Sequence, residues 1–242
     1  MISVTDNFLS QQRVLIISPH PDDECFGCGG MIAKIKSLGG KIFVVVVSVG
    51  DSHYLNSREK SEITGSQRID EFYGAMKYLG VDGYSILYTD KESHERLDSI
   101  PRRTLIEKFE NRGDLSIQEI KPTIVAIPAI SYNQDHEAVF WAAFTACRPG
   151  TNGIFHTVPM VISYENTSLN WLPANSQFHA QLYIDITNHL ESKIEALSFY
   201  KSQMKGGIHH SNLDNIKRSA LVRGREVSIE AAECYMIHRW ML

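Results

Sequence analysis

The chain has 242 residues, 43% of them hydrophobic and 21% charged, which suits one large domain or two small ones and is ample for a core. Its formal net charge of −4 lacks the basic excess of a nucleic-acid binder, and no apolar run reaches the roughly 18–20 residues that span a bilayer. The cysteines Cys25, Cys28, Cys147 and Cys234 do not make a disulfide framework in a chain of this size.

Residues 1–12 are polar and lack the basic-then-apolar layout of a signal peptide, so a cytoplasmic protein with no transmembrane segment is expected. The apolar run 14–18 predicts a buried strand, 24–38 a helix stopped by Gly39-Gly40, and 42–49 a second strand. A helix over 57–79 ends at Gly80, a strand follows at 84–88, and Pro101 opens a helix over 101–119. Strands at 123–128, 161–164 and 182–186 alternate with helices at 136–146, about 188–204 and about 212–223. Val/Ile-rich strands without polar alternation suit a parallel sheet covered on both faces. The expected fold class is therefore α/β: an open, mostly parallel Rossmann-like sheet with helices on both faces, forming one domain over 1–242. Loop-rich segments lie at 147–153, at 166–178 with Trp171, Pro173 and Phe178, and at 206–211. The aromatics Trp171 and Phe178 could stack on a ligand or simply pack.

The most informative stretch is Ser18-Pro19-His20-Pro21-Asp22-Asp23-Glu24. It sets one imidazole and three carboxylates at the end of a buried strand, where uncompensated charge is costly and a bound cation is the simplest partner. A second polar cluster, Ser131-Tyr132-Asn133-Gln134-Asp135-His136, follows the strand at 123–128 in the same way. Ligands of open α/β sheets bind outside the carboxyl ends of the strands, so the two clusters can meet on one edge. His20 and Asp23 can point at one ion across a strand-to-helix turn, and His136 could close the set. Two imidazoles, one carboxylate and an open position make the pattern of a hydrolytic zinc site, whose water has a pKa of roughly 7. Asp22, beside a ligand, is the candidate general base. For the carboxylates alone, helix capping is the competing explanation; it does not account for His20 between two prolines.

Pro19-His20-Pro21-Asp22-Asp23-Glu24, continued by Gly27-Cys28-Gly29-Gly30, resembles the signature of the PIG-L/LmbE family of zinc-dependent N-deacetylases. Asn133-Gln134-Asp135-His136 is similar to the family's second motif, Arg68 and Glu71 to its Arg-x-x-Glu helix, and Asp90 to its acidic position after a strand. Arg223-Gly224 and Ala232-Glu233 extend the likeness to the C-terminal part. The resemblance implies one Zn2+ per chain held by His20, Asp23 and His136, with Fe2+ able to replace it at a mixed N/O site. It implies Asp22 as base and hydrolysis of the N-acetyl group of a small-molecule amino sugar or its conjugate. Neighbouring carboxylates and burial are expected to raise the Asp22 pKa. The family commonly has a histidine where this chain has Asn133, an oxyanion-stabilising group oriented by the acid at Asp135. Asn133 can donate a hydrogen bond but carries no charge; His53, His209 and His210 are candidates to fill in. Arg68 and Asp90 are the candidate substrate contacts, against an Arg68–Glu71 helix-surface ion pair. A homo-oligomer is open to the chain by resemblance alone.

Different chemistries compete for the same residues. Cys25-Phe26-Gly27-Cys28 has the spacing of a redox dithiol, but adjacent carboxylates push such thiols the wrong way. Gly27-Cys28-Gly29-Gly30 lacks the third glycine of a dinucleotide fingerprint, Ala33 standing there; its glycines serve close helix packing. Hydrolysis of another amide or of a thiol conjugate, or metal binding with reduced catalysis, would use the same site.

Overall fold

The computed structural model describes residues 4–56, 59–150, 155–166 and 177–241, with backbone alone for 4, 52–56 and 59–62. In chain order the elements are α1 (Val4–Ser10), β1 (Arg13–Ser18), α2 (Asp23–Ser37), β2 (Lys41–Ser48), β3 (Ser52–Asn56), β4 (Glu59–Ile63), α3 (Gly65–Leu79) and β5 (Gly83–Tyr88). Then come α4 (Arg102–Glu107), α5 (Ile117–Ile120), β6 (Ile124–Pro128), α6 (Gln134–Ala146), β7 (Met160–Tyr164), β8 (Leu182–Asp185), α7 (Leu190–Ser198), α8 (Leu213–Arg225) and β9 (Ala232–Trp240).

Seven strands form one sheet in the order β5-β2-β1-β6-β7-β9-β8. The first five are parallel, and β9 runs antiparallel to both β7 and β8. Within β1, Val14 and Ile16 belong to the core layer that also holds residues of α2, α3, α7 and α8, while Leu15 and Ile17 belong to the layer that holds residues of α4, α5 and α6. Both faces are therefore buried, as the lack of polar alternation requires. The order reverses at β1, which has β2 on one side and β6 on the other. That is the topological switch point, where the loops leaving β1 and β6 open a crevice.

The structure corrects several element boundaries. The helix expected over 57–79 starts at Gly65, where Thr64 caps it by accepting from the Gln67 amide at 3.2 Å. Residues before it form the antiparallel hairpin β3–β4, Ser52 opposite Ile63. The charged run 59–62 has helical propensity, and tertiary pairing overrides it. The helix expected over 101–119 is broken: α4 passes into a π turn over Lys108–Arg112, and the chain turns at Gly113 before α5. The helix expected over about 188–204 stops at Ser198. Strand β3, helix α1 and the long strand β9 lie beyond the expectations. Trp171 and Pro173 fall outside the described residues.

Strand β9 reaches into α2. Glu233 accepts the Gly30 amide at 2.8 Å and the Met31 amide at 2.7 Å, while Lys193 of α7 donates to the Phe26 carbonyl and to Glu233, both at 2.6 Å. Phe26 C=O and Gly30 N–H are i, i+4 partners in a regular helix, and here both are engaged from outside it. Lys193 and Glu233 are buried, a charge pair with its hydrogen bonds satisfied. Glycines let other neighbours pack close on the same helix: a Cβ on Gly27 would lie 2.1 Å from the Tyr164 ring of β7, and one on Gly30 2.6 Å from Ile186.

Candidate active site

Beyond β1, the chain passes through two prolines and enters α2 at Asp22, whose φ of 109° is unusual for a non-glycine residue. Asp22 makes no side-chain capping bond, so capping does not account for it. The turn sorts the three carboxylates. Asp22 is half-buried and lines a cavity. Asp23 is buried and turned toward His20 and His136. Glu24 points inward, accepting Ser18 Oγ and the Asp22 amide, each at 3.2 Å, and the Tyr200 hydroxyl.

His20, Asp23 and His136 each offer one ligand atom, and these atoms lie within 4.8 Å of one another. Asp23 Oδ2 is 3.6 Å from His20 Nδ1 and 3.2 Å from His136 Nε2. His20 Nε2 lies 2.8 Å from Asp135 Oδ2, and the other Asp135 oxygen accepts the Leu97 amide at 2.9 Å. His136 Nδ1 is buried with no hydrogen-bond partner. Two imidazoles and one carboxylate, with one imidazole backed by a second carboxylate, fit a divalent metal. The electrostatics agree. Burial opposes charge on His20, yet hydrogen bonds and Coulomb attraction from Asp135 and Asp23 carry its pKa up to about 9. Burial likewise opposes ionisation of Asp23, and His136 and His20 outweigh it, holding that carboxyl well below the usual range. The cluster draws positive charge. Asp22 is pushed the other way, upward, by burial and by Asp23, with Arg68 opposing.

The cavity over this cluster has a volume of about 370 Å3. Arg68, buried on α3, donates from Nη1 to His94 Nε2 at 2.9 Å. The alternative weighed for Arg68, an ion pair with Glu71, is not seen among the described residues; Glu71 instead accepts the Ser202 amide at 2.9 Å and hydroxyl at 2.6 Å. His94 packs edge-on against His20, with ring centroids 5.4 Å apart. Burial, His20 and Arg68 push its pKa down to about 3, so the imidazole is neutral. Its side chain lies against Gly50, where an added Cβ would be 2.7 Å from the His94 Cβ and 2.8 Å from the ring. Asp90 is exposed and is not among the cavity residues; it accepts the Ser93 amide at 2.8 Å and, through its carbonyl, the His94 amide at 3.4 Å. It thus shapes the turn that delivers His94.

Asn133 lines the cavity and caps α6, its Oδ1 accepting the Asp135 amide at 2.9 Å. With the carboxamide oxygen so engaged, the NH2 group is the one left to meet a ligand. Asp135 backs His20 rather than a group at 133, which differs from the role implied by resemblance. His209 and His210 stand at the rim with rings 4.0 Å apart, and the side chain of His53 lies outside the described ones. Cys25 and Cys28 are buried and free, their thiols pushed well up by burial and by neighbouring carboxylates, the direction opposite to that of a reactive dithiol. Sequence reasoning missed His94 and Asn166. Both follow the carboxyl end of a parallel strand, β5 and β7, and that position is the signal that could have found them.

A family model described as PIG-L, GlcNAc-PI de-N-acetylase, matches residues 15–147. The chain is 28% identical over 195 residues to the uncharacterized deacetylase YaiS of Escherichia coli K12, covering 79% of this chain and 92% of that one. Its fold is similar to that of the N,N'-diacetylchitobiose deacetylase of Pyrococcus horikoshii, with a TM-score of 0.70, 20% identity and coverage of 97% and 86% of the two chains. It is also similar in fold to GalB, the 4-carboxy-2-hydroxymuconate hydratase of Pseudomonas putida KT2440, with a TM-score of 0.67, 21% identity and coverage of 96% and 98%. The structural likenesses speak for the fold, and the family match spans both clusters that build the cavity floor: the chain belongs to the PIG-L family.

Proposed function

We propose that residues 1–242 form one metal-dependent deacetylase domain that removes the N-acetyl group from an amino sugar or its conjugate. The observation that carries this reading is the convergence of two imidazoles and a carboxylate on one cavity, with a further carboxylate, Asp22, beside them. Family membership and the diacetylchitobiose named for the Pyrococcus horikoshii enzyme support the sugar class. The four buried free thiols are in keeping with a reducing, cytoplasmic setting.

His20, Asp23 and His136 would hold the ion, zinc first and ferrous iron as the alternative. A bound ion supplies Lewis acidity, acidifying a water and polarising the acyl oxygen. Asp22 takes a proton from the attacking water and later gives it to the leaving amine. Its raised pKa, set by burial beside Asp23, suits both transfers. Asn133 donates its amide hydrogen to the developing oxyanion as a neutral donor. Arg68, steadied by His94, binds hydroxyl or phosphate oxygens of the substrate. Asp90 acts indirectly, through the turn that carries His94.

The test is acetate release from free, nucleotide-linked and lipid-linked N-acetylhexosamines, using metal-stripped and zinc-restored protein. Zinc-dependent release from one class is the expected result. One observation favours a second reading, action on another amide or thiol conjugate or reduced catalysis: the uncharged Asn133 in place of the family's histidine. Zinc binding without release from any of the sugars would favour it.

A further inference from the structure

We propose that Asn166 is a positioning residue that makes Asp23 offer a single oxygen to the metal, and that an Arg223–Glu165 clamp holds Asn166 in place. The inference rests on the ligand role proposed above for His20, Asp23 and His136. The two oxygens of Asp23 have different neighbours. Oδ1 accepts from Asn166 Nδ2 at 2.5 Å. Oδ2 faces the His20 amide at 3.2 Å and His136 Nε2 at 3.2 Å. A carboxylate with one oxygen committed to a strong donor presents the other in a fixed direction, and such supporting bonds tune metal affinity.

Asn166 itself is buried, two residues beyond the end of β7. Its neighbour Glu165 is gripped through both carboxylate oxygens by Arg223 of α8, Nε to Oε2 at 2.9 Å and Nη2 to Oε1 at 2.5 Å. Paired bonds of this kind fix direction as well as distance. The Glu165 amide also donates to the Cys234 carbonyl of β9 at 3.4 Å, and Arg223 Nη1 reaches Glu226 at 2.8 Å. The chain leaving β7 is thus tied to α8 and β9 at one residue and delivers its next side chain to Asp23. Glu165 and Arg223 touch neither His20 nor His136; their route to the site runs through Asn166.

The test is zinc affinity by chelator competition on the full chain, alongside thermal unfolding of the metal-free protein. Asn166→Ala is expected to weaken zinc about ten- to a hundred-fold. Arg223→Met is expected to weaken it less, and Arg223→Lys, which keeps the charge and loses the paired bonds, to recover only part of that loss. Because Arg223 acts through Asn166, the double variant should bind zinc no more weakly than Asn166→Ala alone. A purely structural role would lower the unfolding temperature and leave zinc affinity within two-fold, and that result overturns the proposal. Losses that multiply in the double variant overturn the clamp. If Asn166→Ala does not fold, Asn166→Ser, whose hydroxyl is too short to reach Asp23, is read in the same way. Absence of zinc binding in the unaltered protein would instead refute the ligand reading on which the inference rests.

Discussion

His20 and Asp135 stand 115 residues apart in the chain and meet at 2.8 Å. The carboxylate at the head of α6 fixes the imidazole at the end of β1, turning Nε2 toward itself and leaving Nδ1 for the cluster. The Leu97 amide, 2.9 Å from the other oxygen, locks the carboxylate in turn. Asp135→Asn puts an NH2 donor in place of one acceptor oxygen and so cannot accept at both positions, and it is expected to lower zinc affinity about ten- to a hundred-fold. Chelator competition reads this directly; unchanged affinity would detach Asp135 from the metal centre.

Asp22 touches none of the three proposed ligands in the way they touch one another. Asp22→Asn should therefore lower kcat by about a hundred- to ten-thousand-fold while one zinc per chain is retained. Metal analysis and turnover on the same preparation test this. Loss of zinc in the variant would make Asp22 a ligand rather than a base.

The neutral state of His94 has a consequence for stability. Its folded pKa, about 3, lies below the unfolded value near 6.5. Between these values the unfolded chain binds more protons, so the stabilisation is present above pH 6.5 and is lost as pH falls toward 3. His94→Gln keeps an acceptor for Arg68 and removes the titration. The stability difference between the metal-free parent and this variant should shrink by about 1.4 kcal/mol per pH unit below pH 6. Urea unfolding at pH 7, 6 and 5 measures it; a pH-independent difference contradicts the assignment.

Asn133→His restores the ionisable donor common in the family and removes a helix cap, at about 1 kcal/mol of stability. If residue 133 faces the oxyanion, the pH dependence of kcat/KM should acquire an additional ionisation within about a unit of 6.5. A profile that merely scales, without changing shape, would put residue 133 outside the chemistry.

Gly27→Ala should destabilise the fold by about 1–3 kcal/mol or more, since the new Cβ would lie 2.1 Å from Tyr164. Gly206→Ala, with no heavy atom within 4 Å of the built Cβ, should change stability by no more than about 0.5 kcal/mol. Denaturant midpoints compare the two. Equal effects would mean that the close approach of α2 to β7 is not limiting.

The parts of this protein that can be read from its residues are those whose cause is local. Val14–Ile17 and Ile42–Val47 announce buried strands because the run itself is the signal. His20 to Glu24 announce a functional cluster because so much charge at a buried strand end is too costly to stand without a partner, and the structure brings His20 and Asp23 together with His136. β9 is illegible because Glu233, His238 and Arg239 interrupt its apolar pattern; Glu233 makes sense only beside the α2 amides and Lys193 that it meets. The β3–β4 hairpin is illegible because 59–62 favours a helix in isolation. His94 and Asn166 cannot be assigned from the chain alone because their meaning lies in partners, Arg68 with His20 and Asp23 respectively, that the topology brings from other strands.

The contact of Glu233 with α2 spans 203 residues, and this sets an order of assembly. The motif bearing His20 and Asp23 precedes Glu233 by about two hundred residues, so the mid-helix amides of α2 find their acceptor only when residue 233 has been made. Domains fold as units, and distant pairings close late. The frame behind His20 and Asp23 is therefore closed by residue 233, and a chain that stops short of it presents the same motif on an α2 whose Gly30 and Met31 amides lack their acceptor.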